Sequence, residues 1–407
     1  MTDPEIDTLE QRGRITRLKE ALFAEECLVS AKQTRIVATV YKTYRSLPKN
    51  LQKAIALCES LKGAEIRIAP DDLIVGNSIP TVRAGAISHD LNRRRTMKEA
   101  ETYPMRHQDR LSIRQEDIKE FRRNMLPFLK GKTLEDMLDV VLGEEMSAIG
   151  MIPKTSRPDH SQGYISSNSA EWLKFGPTGL RDMAFTNEAA DYNNSDFYES
   201  VAISLDGACI LMKRYAELAW DMAASAVDPT ELLEIARICD KLSCQPPETF
   251  HEAIQSLWFH YIVLQMESNA TSFSTGRMDQ YLYPFYRSDI NSGRLTAADA
   301  LELVQCLFLK FNQVAYTRSS SNAEYLPGFP ADFNVAVGGQ DYTGSDAVND
   351  LSYIMLRAYE HLLLPQPYLS ARLHDKSPEH FLTRCAQVIG KGGGMMHAFS
   401  DEAIPAQ

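Results

Sequence analysis

Residues 251–281 read HEAIQSLWFHYIVLQMESNATSFSTGRMDQY, and the two parts of this stretch obey different rules. The first, HEAIQSLWFHYIVLQMES (251–268), is apolar at most helical positions, so the predicted helix keeps little surface for water and reads as buried. The second turns polar at once. Glu267 and Asn269 lead into Thr271, Ser272 and Ser274, then Gly276, Arg277 and Asp279, before YLYPFY restores an aromatic character. Hydroxyls and paired charges set between apolar flanks must be hydrogen-bonded if they lie inside, which fits the wall of a buried polar pocket. A tight turn with an internal ion pair accounts for the same residues, and the stretch alone leaves both readings open.

Working outward, Ala297–Gln313 is a second apolar helix, followed by glycine-punctuated pieces: FNVAVGG (333–339), PYLSARLH (367–374) and IGKGGGMMHAF (389–399). The first two read as short buried strands. Ser345 or Asp346 is placed to cap the helix that follows FNVAVGG. Arg372 sits within the second strand, where a buried guanidinium needs a carboxylate or a ligand anion. Upstream the pattern is helical: 9–32, 34–46 (stopped by Pro48), two amphipathic helices in 115–150, a long apolar helix over 198–226, and another opened by Asp228-Pro229-Thr230. Between them AEIRIAPDDLIVGN (64–77) is an extended segment around a Pro-Asp-Asp turn. Helices alternating with buried strands predict an α/β core wrapped by an α-rich N-terminal portion, in one continuous domain.

The chain has 407 residues, 44% hydrophobic and 24% charged, which is enough for a large core. A net charge of −11 and a pI near 5.4 disfavour nucleic acid as a partner, and the one dense basic run, Arg93–Arg95, reads as a solvated face. Seven cysteines and nine histidines show no metal-ligand spacing, so no metal site is expected. His251, His260, His361 and His374 read as structural. The odd cysteine count, a polar N-terminus and the lack of a long apolar run predict a cytoplasmic protein with no membrane span. No Walker loop, dinucleotide fingerprint, HExxH or GxSxG motif occurs; GKGGGMM (390–396) has the glycines but not the spacing.

Four long pieces carry a resemblance: 231–269, GRMDQYLYPFY (276–286), NVAVGGQDYTGSDAVNDLSY (334–353) and PQPYLSARLHDKSPEHFL (365–382). With RITRLKEALFA (14–24), IAPDDLIVGN (68–77) and YPMRHQDRLSIRQED (103–117), they resemble the glycyl radical enzymes of the pyruvate formate-lyase group, in order and over nearly the whole chain. The likeness is to the branch of formate acetyltransferase 2-like proteins, glycerol and diol dehydratases, and choline and sulfonate lyases. It implies an α/β fold, the N-terminal half of a ten-stranded α/β barrel with extensive surrounding α-helices. Residues 1–407 would be the first part of the pyruvate formate-lyase-type domain, ending before the thiyl cysteine and the C-terminal glycine radical domain.

The resemblance implies anaerobic chemistry on a small polar substrate, as a lyase, a dehydratase or an acyltransferase. No cofactor would be bound directly. A glycyl radical in the missing C-terminal part would be installed by an S-adenosylmethionine iron–sulfur activase, and a thiyl would abstract hydrogen from the substrate. The full-length enzyme would be a homodimer. This chain alone would be inactive; the alternative is a non-catalytic truncated or split paralogue that binds small molecules or pairs with another chain.

Residue by residue, Tyr164 falls where pyruvate-cleaving members place a carboxylate-binding arginine, and it supplies a hydroxyl without charge. Thr271 falls where glycerol dehydratases have a histidine, beside a serine matched by Ser272. Together with Arg318 these are the expected substrate-binding residues, which implies a neutral or hydroxylated substrate. Arg277, Asp279 and Arg372 are expected to brace the pocket wall.

Overall fold

The computed structural model describes residues 3–403 apart from 78, 80, 88–96, 139, 142–162, 325–326, 329–330 and 395. Two parallel sheets organise it. A small one has the order β2–β1–β3, from β1 (Cys27–Ser30), β2 (Ala84–Ala86) and β3 (Leu111–Ile113). The large one has the order β4–β5–β6–β7–β8, from β4 (Gly163–Ser166), β5 (Thr271–Arg277), β6 (Asn334–Gly338), β7 (Tyr368–Leu373) and β8 (Met396–Ser400), every pair parallel. The main helices are α1 (Gly13–Ala24), α2 (Lys32–Thr43), α3 (Lys49–Gly63), α4 (Ser169–Ala190), α5 (Ser195–Ala223), α6 (Thr230–Leu242), α7 (Phe250–Ser268), α8 (Tyr283–Asn291), α9 (Ala297–Gln313), α10 (Asp350–Leu362) and α11 (Glu379–Gly390).

The α/β class and the two apolar helices follow the sequence closely. Thr249 and Glu252 close a capping box at the start of α7, and Thr296 and Asp299 do the same for α9. Both helices are buried along most of their length, so they form the layer against which the large sheet packs. Strands alternate accordingly. Phe273 and Thr275 of β5, Val335 and Val337 of β6, and Leu369 and Ala371 of β7 turn into that layer and are buried. The residues between them face the other way.

Several expectations need correction. The 9–32 helix is broken, because ECLVS feeds a strand: Cys27 and Val29 are buried in β1 at the centre of the small sheet. In 115–150, the first expected helix runs over Gln115–Glu120, widens into a π turn at Phe121–Met125 and resumes as Leu126–Leu129, and residues 134–138 are helical again, as the second expected helix requires. Pro127 cannot donate to the preceding turn, which is where the helix opens. From 142 onward that segment, like Arg93–Arg95, lies outside the described residues. The helix after β6 is capped by Asn349, not Ser345 or Asp346: its side chain accepts from Leu351 N–H and Ser352 N–H.

Residues 64–77 join no strand. Their backbone groups are satisfied by side chains instead: Gln255 accepts from Val75 N–H at 2.7 Å and donates back to Val75 O at 2.7 Å. Trp258 Nε1 donates to Gly76 O at 2.9 Å, and a Cβ at Gly76 would meet that indole at 2.7 Å, so only glycine fits there. The opening polar stretch is neither a turn nor a loop; TSFSTGR is strand β5. GKGGG is the turn into β8, with φ of 90°, 88° and 68° at Gly392, Gly393 and Gly394.

Candidate functional site

The face of the large sheet turned away from that helical layer is polar. It carries Tyr164 and Ser166 from β4, Ser272 and Ser274 from β5, Asn334 from β6, Tyr368, Ser370 and Arg372 from β7, and His397 from β8, as the register of the ladders requires. Ser370 Oγ donates to Asn334 Oδ1 at 3.1 Å. Tyr164 is 88% exposed and Ser272 half-buried on this face. A parallel sheet is ordinarily covered on both sides by apolar residues, so an open face lined with hydroxyls is the departure to explain.

Backbone strain gathers at one end of it. Tyr164, Ser272 and Asp332 have φ of 58°, 61° and 59°, in the left-handed region, each within two residues of the N-terminal end of its strand. Such conformations cost roughly 1–3 kcal/mol each and persist where surrounding contacts impose them. Here those contacts are visible: Ser272 N–H donates to Ala331 O at 2.8 Å. Gln366, fully buried, accepts at Oε1 from Ala331 N–H (3.0 Å) and Phe333 N–H (3.4 Å), clamping the backbone on both sides of Asp332.

Asp332 was not singled out in the sequence, yet it joins two predicted site residues. Its Oδ2 accepts from Arg318 Nη2 at 2.7 Å and from Thr271 Oγ1 at 2.9 Å, and its Oδ1 accepts from Tyr368 at 3.0 Å. Burial pushes the Tyr368 phenol up to about 12, helped by the Asp332 charge, so it stays a protonated donor. Arg318 is buried, its guanidinium 5.2 Å from the centre of the Tyr316 ring. Thr271, Ser272 and Arg318 are therefore brought together, with Tyr164 on the neighbouring strand (Gly163 pairs with Thr271). Only a short-range signal, the FPADFN sequence just before β6, could have pointed to Asp332.

Arg277, Asp279 and Arg372 stand at the opposite end. Arg277 and Asp279 form no ion pair. Asp279 is fully buried and accepts from Gly338 N–H at 2.7 Å and Ser352 Oγ at 2.6 Å, and burial raises its pKa. Arg277 donates to Gln340 O at 2.6 Å, while its Nε and Nη2 are buried without a hydrogen-bond partner among the described residues. Burial, opposed by Asp279 and reinforced by Arg372, lowers its pKa. Arg372 Nε is paired with Asp401 at 2.8 Å, so a carboxylate of the chain meets that arginine.

A separate cleft of about 540 Å³, lined by Arg237, His251, Glu252, Asp289 and Glu302 among others, lies among helices away from the sheet. Its charges pair with each other or with neighbouring arginines, as Glu252 does with Arg237 (2.8 Å) and Lys241 (2.9 Å), so it offers little to a ligand. Among the described residues no group of three or more His, Cys, Asp or Glu could hold a metal ion, and no helix is long and apolar enough to cross a membrane. The histidines have protein partners or packing: His251 with Leu73 O (2.8 Å), His361 with Gln305 (2.9 Å), His374 with Asp346 (3.0 Å), and His260 stacked on Trp172.

The sequence profile of the pyruvate formate lyase-like family matches residues 2–407. The chain belongs to that family. A curated relative, the probable dehydratase YbiW of Escherichia coli, is 32% identical over 99% of this chain and 52% of its own length. Among solved structures, the glycerol-bound B12-independent glycerol dehydratase from Clostridium butyricum superposes with a TM-score of 0.91 at 29% identity, covering 97% of this chain and 52% of that one. A glycyl radical enzyme from Archaeoglobus fulgidus gives 0.88 at 29% identity, over 96% and 52%. This pyruvate formate lyase-like chain therefore spans about half the length of the relatives it matches, and its five-stranded sheet is the corresponding part of their α/β barrels.

Proposed function

We propose that this chain supplies half of the substrate chamber of a glycyl radical dehydratase or lyase acting on a small, neutral, hydroxylated molecule. The observation that carries this reading is the strained, hydroxyl-lined face of β4–β7 in a chain whose relatives include a glycerol dehydratase and a glycyl radical enzyme. In such enzymes a radical stored on a backbone glycine, installed by an activating enzyme, supplies hydrogen-atom abstraction through a cysteine.

What falls to this chain's residues is binding and orientation. Tyr164 and Ser272 offer hydroxyls to the substrate, and Thr271 and Arg318 shape the same corner through Asp332. Tyr164 brings no charge to hold a pyruvate carboxylate, which favours elimination over acyl transfer. Arg277, Asp279 and Arg372 act as bracing at the far end of the strands. The seven cysteines stand off this face, on helices, beside α6 and in the small sheet, and burial pushes the thiols of Cys27 and Cys385 up to about 12. The same placement supports a second reading, a split or non-catalytic paralogue that binds ligand or pairs with another chain.

Anaerobic incubation of the activated full-length gene product with glycerol or 1,2-propanediol, with aldehyde formation followed, tests the proposal. Aldehyde appearing with either diol supports it. A radical-bearing protein that binds neither diol and releases no aldehyde refutes it, and diol binding without any radical supports the second reading.

A further inference from the structure

The substrate reading names Thr271 and Arg318, but neither hydroxyl nor guanidinium is free to act alone: both are committed to Asp332. The geometry has the character of a filled anion site. Arg318 is only 6% exposed, and a buried guanidinium demands an anion, because an unpaired buried charge is strongly destabilising. The neighbouring cation at this end of the sheet is disposed of in the same way. Arg106, also buried, pairs with Glu99 at 2.6 Å and donates to Arg318 O at 3.0 Å. Arg318, Thr271 and Tyr368 are three donors converging on one carboxylate, an arrangement that would equally suit a carboxylate or sulfonate arriving from outside.

Asp332 occupies that position at a conformational cost. Its φ of 59° is left-handed, and the buried Gln366 amide holds the backbone on either side of it. The side chain is thus presented by the scaffold and does not relax onto Arg318 by chance. Oδ2 takes two donors and Oδ1 takes one, Tyr368, which leaves Oδ1 with acceptor capacity toward the polar face.

We infer that Asp332 is the specificity-determining residue of this face: it fills from within the chain the anion position that Arg318, Thr271 and Tyr368 form, so that the site refuses anionic substrates and accepts a hydroxyl. This rests on the reading of the face as the substrate wall. It adds that selection against carboxylates and sulfonates is exerted by one residue, both by repulsion and by withholding Arg318.

Near-isosteric probes test it: 1,2-propanediol and lactate differ in a hydroxymethyl against a carboxylate. Binding to the full-length gene product, without activation, is measured by calorimetry. The wild type binds the diol and prefers it to lactate by on the order of tenfold or more. Asp332→Asn gains lactate affinity by about tenfold, and the added substitution Arg318→Gln abolishes the gain. A merely structural role for Asp332 produces no such gain. Should Asp332→Asn fold poorly, Asp332→Ser is examined with and without formate at constant ionic strength, and formate raises its melting temperature selectively over wild type.

A folded Asp332→Asn protein with unchanged lactate binding overturns the inference while leaving the diol-binding face intact, as does an Asp332→Ser protein that formate leaves unaltered. Wild type that takes lactate as readily as the diol also overturns it. Wild type that binds neither probe removes the substrate reading and the inference with it.

Discussion

Asp279 accepts a hydrogen bond from Ser352 at 2.6 Å, joining the short helix Met278–Tyr281 that follows β5 to the first turn of α10. The same oxygen accepts from Gly338 N–H at the end of β6, so one buried carboxylate ties three elements together. Asp279→Ala strands a backbone N–H and a hydroxyl inside the protein, at about 1–3 kcal/mol each. Denaturant unfolding of Asp279→Ala should show a loss of about 3–4 kcal/mol, and Ser352→Ala a loss of about 1 kcal/mol. Equal effects from the two variants would mean that the Gly338 bond contributes nothing.

Tyr164 and Thr271 are expected to act on ligand affinity more than on stability. Tyr164 is exposed, so Tyr164→Phe should leave the unfolding midpoint unchanged and weaken diol binding by about threefold to tenfold. Thr271→Ala removes one of the two donors on Asp332 Oδ2 and should weaken it by a similar factor. Calorimetric titration of both variants with 1,2-propanediol reads this directly. An unaltered affinity in Tyr164→Phe would remove Tyr164 from the site.

Acid sensitivity should begin above the carboxylate range. Burial lowers the His260 pKa to about 3, from an ordinary 6.5, with its ring stacked on Trp172 at 4.5 Å. Between these values the unfolded chain binds a proton that the folded one refuses, so stability rises with pH across the window and is lost as pH falls from about 6.5. Burial lowers His251 in the same direction. Glu252 adds a lower window. Burial opposes its ionisation, but the Glu248 N–H, Lys241 and Arg237 outweigh it and hold it at about 2, so that stability is lost below about 4.5. Thermal melts from pH 7 to 3 should show a decline starting near 6.5. His260→Phe should flatten the part above 4.5; an identical profile in that variant would contradict the assignment.

The outer strand of the large sheet carries a liability. Among the described residues β8 pairs only with β7, and His397, Ala398, Phe399 and Ser400 are all exposed. Open strand edges beside an uncovered face recruit further chains. Sedimentation of the 407-residue chain should show oligomers or aggregates that grow with concentration, and a monodisperse monomer would count against the half-barrel geometry.

How much of this was legible in the sequence depended on which side of each residue is covered. Helices α7 and α9 were read nearly to the residue, because burial on all sides leaves an unmistakable apolar run and Thr-x-x-Glu or Thr-x-x-Asp marks the start. Strands β6 and β7 were read from the apolar residues of their core-facing side and from the glycines and prolines that bound them. Strand β5 was not, since a strand with one face in the core and one on a polar chamber spells TSFSTGR, which has few apolar residues to count. β1 hid inside a helical period because four residues are too few to set their own. Asp332 was missed because its role comes from convergence: Arg318, Thr271, Tyr368 and Gln366 lie up to 61 residues from it in sequence, and only the parallel register brings them together.

The central claim, that this chain is part of a glycyl radical enzyme, is met most directly by electron paramagnetic resonance. The full-length gene product, treated anaerobically with its activating enzyme and S-adenosylmethionine, should give the doublet of a backbone glycyl radical. A protein that binds its activating enzyme, remains folded and shows no doublet would contradict the account.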